Sequence, residues 1–256
     1  MREERRISTS VRPRRPGSGS GPRARRRAIE ASEPARGDFD EVAHSTALLL
    51  AQAGGVESAL NVEWLVSRFL PWWGDEPTHF NTGYFESTVL AIVDELEVNG
   101  DSVALTVLHG IEAVAGGVIG EAAAAAGNRL GAAGASTPAW AWHIGQARAV
   151  KARVTRNDED ESAGVIVEYA YPDGTGHALA AFIADDMGGA VKFMGLMKPF
   201  AEAVGGDEIP FETVEPQEAE RMVRQALKAT DQMHARLEGD PSVHEFGALA
   251  WSRVRE

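Results

Sequence analysis

Asp185 and Asp186, followed at once by Gly188, Gly189 and Lys192, come closest to chemistry in this 256-residue chain by residue type and spacing. Set at the start of a helix, the two carboxylates would accept hydrogen bonds from first-turn amides, where the helix dipole favours negative charge. The Gly188, Gly189 and Ala190 amides with Lys192 would alternatively hold an anion, as helix N-termini do, but the aspartates beside them would repel it. A third arrangement takes Asp185, Asp186 and His177, with Glu168, as ligands for a hard divalent cation or as acid and base in a hydrolysis. Geometry opposes it: along one strand, residues 177 and 185 stand about 26 Å apart. Capping alone accounts for the aspartates, and no metal site is expected. No phosphate loop, dinucleotide fingerprint, zinc-protease helix or nucleophile elbow accompanies them, so no cofactor is implied. Two aromatic stretches complete the candidates. Trp140, with Trp142, lies in the segment Thr137 to His143 and offers a binding surface, whereas Trp72-Trp73 are expected to seal the edge of a core.

The element that must position these residues is a β-hairpin, Gly164 to Tyr171 and His177 to Ala184, around Pro172-Asp173-Gly174-Thr175-Gly176. If Tyr171 faces His177, then Tyr169 faces Leu179, Val167 faces Ala181 and Val165 faces Ile183, with His177 on the apolar side. The turn residues alone leave the register open. After Asp185-Asp186-Met187-Gly188-Gly189 the spacing of Val191, Met194 and Met197 reads as a helix carrying Lys192. Upstream, Val150, Ala152 and Val154 alternate with Lys151, Arg153 and Thr155 as in a strand with one wet face. The four carboxylates from Asp158 to Glu161 lack the spacing of a calcium loop and read as a solvated turn.

Before the sheet, helical periods run from Phe39 to Gly54, from a cap at Asn61 to Pro71, from Phe85 to Asn99, and from a cap at Asp101 or Ser102 to Gly116-Gly117. An alanine-rich helix then extends to about Leu130. Downstream, Ile209, Phe211 and Thr213 suggest a short strand. Pro216 opens an amphipathic helix with Ala219, Met222, Val223, Ala226 and Leu227 on one face, and a last helix carries Val243, Phe246 and Leu249. The expected fold class is α+β: a helical N-terminal half, a small mainly antiparallel sheet with a central hairpin, and C-terminal helices packed on it.

Residues 1–37 hold 11 Arg against 4 Glu and little apolar content, and are expected to form a disordered basic tail. Residues 38–256 are expected to fold as one domain, with a helical part over about 38–135 and an α+β part over about 138–256. Subtracting the tail's +7 from the total of −13 leaves −20 on that domain, a charge that opposes nucleic acid as its partner. The chain has no cysteine, which excludes disulfides and thiolate metal sites and fits a cytoplasmic protein. It also lacks an apolar run long enough to span a bilayer or to follow the basic N-terminus as a signal. With 21 Arg against 4 Lys, its coding DNA reads as GC-rich.

Around the hairpin, over about residues 121–235, the sequence resembles an uncharacterised family of bacterial proteins from GC-rich genomes. The likeness rests on Pro138-Ala139-Trp140, Ile144-Gly145-Gln146-Ala147, Tyr171-Pro172-Asp173-Gly174, His177-Ala178-Leu179, Gly188-Gly189-Ala190-Val191-Lys192 and the helix from Glu218 to Asp231. In that family the junction before the glycine pair reads Asp-His-Asn-Leu, where this chain has Ala184-Asp185-Asp186-Met187. The family carries no assigned activity. The resemblance implies that any chemistry of that His and first Asp is lost or altered here. The expected function is therefore that of a non-catalytic binding or adaptor protein contacting another protein. The alternative is a hydrolase or phosphate-handling enzyme with its site at 185–192.

Overall fold

The computed structural model describes residues 36–70, 82–157, 162–199, 211–233 and 240–255. The expectations placed on the basic N-terminal segment, on Trp72-Trp73 and on the acidic run 158–161 fall outside the described residues.

Among the described residues five helices come first: α1 (Arg36–Ala53), α2 (Ala59–Phe69), α3 (Thr82–Asn99), α4 (Ser102–Ala115) and α5 (Gly117–Ala132). Their caps are local. The Asp101 carboxylate accepts from the Ala104 amide at 2.7 Å and starts α4. The cap of α2 lies three residues before the expected Asn61, because the Ser58 hydroxyl accepts from the Asn61 amide and so takes the capping position itself. Gly116 separates α4 from α5 with φ of 62°, and any side chain there would collide with the guanidinium of Arg255. That guanidinium donates to the carbonyls of Val114 and Ala115, filling acceptors that the last turn of α4 leaves open.

A 3-10 turn (Ala139–His143) leads into an antiparallel sheet of β1 (Arg148–Asn157), β2 (Ser162–Ala170), β3 (Gly176–Ala184), β4 (Ala190–Met197) and β5 (Glu212–Val214), in the order β4-β3-β2-β1-β5. Helices α6 (Pro216–Met233) and α7 (Pro241–Val254) follow. The α+β architecture thus has its helices first, its sheet in the middle and two helices packed on one sheet face. No helix among the described residues is long and apolar enough to cross a membrane.

Two apolar cores result. One lies among α1 to α5 and takes in Ala141, Ile144 and Tyr171. The other lies between the inward face of the sheet (Val154, Val165, Val167, Tyr169, Leu179, Ala181) and Ala219, Val223 and Leu227 of α6 with Val243, Trp251 and Val254 of α7. Helix α7 serves both, since its Ala248 belongs to the first core. Against α2 it comes close enough for the Ser67 hydroxyl to accept from the Leu249 amide and donate to the Glu245 carbonyl, two groups that form an i to i−4 pair of α7.

The sheet corrects two expectations. In the hairpin, Tyr169 rather than Tyr171 faces His177, so Val167 faces Leu179 and Val165 faces Ala181. Tyr171 belongs to the turn: its amide donates to the Thr175 carbonyl, and its carbonyl accepts from Gly174, which sits at φ of 85°. A shift of two residues keeps every side chain on its expected face, and His177 remains among the apolar set.

The second correction is larger. Residues 190–197 form strand β4, not a helix. Gly188 and Gly189 both adopt positive φ (66° and 77°), which turns the chain back so that β4 pairs with β3. The misleading period has a cause in the ladder: Ile183 pairs with Val191 and Phe182 with Phe193, leaving Lys192 as a bulge residue. The bulge places Val191 and Met194 inward at a spacing of three, which imitates a helix turn. A second bulge leaves Val150 over between the pairs Ala149/Tyr169 and Lys151/Glu168 and exposes it, against the simple alternation expected of β1.

Candidate functional site at the hairpin end

The residues singled out from sequence fall in four separate places. Asp185 and Asp186 stand in a 3-10 turn (Asp185–Met187) between β3 and β4; Asp186 is exposed, and the side chain of Asp185 lies outside the described ones. Gly188 and Gly189 follow, and the Gly189 amide donates to the Ala184 carbonyl at 3.1 Å, closing the connection. With β4 in place of the helix, the helix dipole and free first-turn amides that an anion would need there are absent from this connection. Lys192 is exposed on the bulge. His177 opens β3 at the far end of the same strand, and Glu168 is buried on the opposite face of the sheet with the Lys151 ammonium 3.9 Å away. Trp140 is half-buried against the helical core. Among the described residues no cluster of three His, Asp or Glu side chains has the geometry of a metal site.

What does converge is a buried polar cluster behind the hairpin turn, most of it unforeseen. Glu63 of α2 is fully buried. One of its oxygens accepts the Gly145 amide at 2.6 Å, and the other accepts the Tyr171 hydroxyl and the Arg253 guanidinium. Arg253, whose side chain is as buried as its partner's, also donates to the Tyr171 hydroxyl at 2.8 Å. Burial is the largest influence on the Arg253 charge and works against it, but the Glu63 carboxylate with Tyr171 and Tyr169 together outweigh it and hold the guanidinium pKa above its usual value. Burial likewise raises the Tyr171 hydroxyl, so it stays protonated and serves as donor to Glu63.

His177 packs beside this cluster, its ring 5.5 Å from that of Tyr169 and 5.7 Å from that of Tyr171. It is 2% exposed, and neither ring nitrogen has a hydrogen-bond partner. Burial, reinforced by the nearby Arg253 charge, lowers its pKa to about 3, so the imidazole is neutral. The Tyr169 hydroxyl has no partner at hydrogen-bond distance either, although it lies near enough to Glu220 to offset part of the rise that burial imposes on that carboxyl.

The cluster fixes two surface features. The first is the 3-10 turn, tied down by Glu63 through Gly145 and by the Gln146 side chain, which donates to the Trp142 carbonyl. His143 in this turn comes within 3.8 Å of the Asp173 carboxylate at the hairpin tip. Asp173 in turn accepts from both the amide and the hydroxyl of Thr175, which hold its pKa below the usual carboxylate range. Trp142 projects from this braced turn with 73% of its surface exposed. The second feature is a cleft of about 520 Å³ between Leu60 of α2, the turn residues 174–177 and the end of β4 with Lys198 and Pro199.

Sequence reasoning singled out His177 and Trp140 but missed Glu63, Tyr171 and Arg253. The missed signal was a charge inside an apolar period: Glu63 sits between Val62 and Val66 on the buried face of α2, and Arg253 between Leu249 and Val254 in α7. Two opposite charges so placed on different helices are the pattern of a buried pair. In comparisons with known proteins, no family model, curated sequence or solved structure matches the chain.

Proposed function

We propose that this is a non-catalytic binding or adaptor protein of the cytoplasm that presents the hairpin end to another protein, with Trp142 as the anchor. The observation that carries the reading is a tryptophan almost three-quarters exposed on a turn whose backbone is held from within by a buried carboxylate. Tryptophan is the residue most enriched where interface energy concentrates, because it offers large area at little cost in rotamer entropy. A rigid turn lowers that cost further, since the partner need not order it. The neighbouring hairpin tip, with Pro172 and Asp173 exposed, widens the same surface.

The test compares wild type with Trp142→Ala, both full-length, as baits in the native extract. A partner held by wild type is expected to bind the variant about thirtyfold more weakly, as for a central interface tryptophan. The melting temperature should stay put, because the side chain contributes little burial. Equal retention of the same proteins by both baits would overturn the proposal, as would the absence of any protein specific to wild type.

A further inference from the structure

We propose that the cleft at the hairpin end binds a small apolar molecule bearing one carboxylate. Three observations point there. The cleft of about 520 Å³ falls within the size range of small-molecule sites, and slightly more than half of its wall is apolar, with Leu60, Leu196, Met197 and Pro199 beside Gly174 and Gly176. Its floor includes His177, a buried imidazole packed against the rings of Tyr169 and Tyr171, which gives the site a wall of defined shape. Polar groups of the turn are already used: the Gly174 amide bonds to Tyr171, and the Thr175 amide and hydroxyl bond to Asp173. They therefore offer a ligand no row of donors of the kind a phosphate or sugar requires.

The one lining side chain with a formal charge is Lys198, exposed at the rim. Its ammonium selects an anionic end, while the apolar walls select the body. Lys198 already has an interaction of its own and faces solvent, so the preference it confers is modest, about threefold. None of the residues lining the cleft belongs to the turn that carries Trp142.

Phenylacetate and its uncharged counterpart 2-phenylethanol distinguish the two elements of the proposal. Titrated into the full-length protein to millimolar concentration and followed by amide chemical shifts, phenylacetate should produce saturable changes at Gly174, Gly176 and Lys198. The alcohol should bind the same place about threefold more weakly. Lys198→Met should abolish that difference, and Met197→Trp, which fills the cleft from an exposed position, should remove both responses while the rest of the spectrum is kept. Absence of saturable changes at these amides would overturn the site. Equal binding of acid and alcohol by wild type would overturn the carboxylate.

Discussion

Glu63 shows how much one carboxylate can organise when it is taken out of water. Its two oxygens fix an amide, a phenol and a guanidinium that come from the turn before β1, the hairpin and the last helix. Removing it as Glu63→Ala leaves the buried Arg253 charge without compensation, which costs about 3 to 5 kcal/mol. Denaturant melts of Glu63→Ala should show that loss. In Tyr171→Phe, which forfeits a hydroxyl but no charge, the loss should be only about 1 to 2 kcal/mol. His177 makes a second prediction. Its folded pKa of about 3 lies below the ordinary 6.5, so the unfolded chain binds the proton more readily than the native one. The stability it confers is complete above pH 6.5 and drains away as pH falls from 6.5 toward 3. Between pH 6.5 and 5 this amounts to about 2 kcal/mol. Denaturation midpoints at the two pH values should show it in wild type and a much smaller change in His177→Phe, which keeps the stacked ring and removes the titration.

At the scale of elements, the edge strand β4 is the informative case. An edge strand leaves outward-facing amides that invite pairing with another chain. Here the Val191 amide donates to the Thr230 hydroxyl of α6 at 2.7 Å, and the Met194 amide to the Ser242 hydroxyl of α7 at 3.1 Å. Thr230 passes its own proton to the Ala226 carbonyl, so the hydroxyl is fully used. Thr230→Val preserves the shape and strands a buried amide, at about 1 to 3 kcal/mol. Hydrogen exchange should accelerate at Val191 while the amides shared by β2 and β3 keep their protection. The helices, the hairpin and the apolar face of α6 were legible in the sequence because each has a clean period or a turn signature. Strand β4 was not, because a bulge at Lys192 gives a strand the spacing of a helix, and no local rule reports a bulge before its partner strand is known. The candidate site was legible only in His177 and the tryptophan-rich turn. The Glu63, Tyr171 and Arg253 cluster joins residues 82 to 190 positions apart, and only the fold brings them together.

The molecule as a whole is built in layers, with α7 between the helical core and the sheet. On the helical side α7 is held by the Ser67 hydroxyl that bridges Leu249 and Glu245, by Arg253 and by the Arg255 cap on α4, and on the sheet side by the Met194 amide on Ser242. A chain is synthesised from its N-terminus, and α7 is made after every other described element. While the ribosome is still at work on it, the bundle has no Ala248 to complete its core, Glu63 has no guanidinium, and the inward face of the sheet lacks Trp251 and Val254. Until α7 is added, each of the two apolar cores therefore lacks one of its walls. Completion of both cores thus depends on one late segment, and the docking of α7 closes them together.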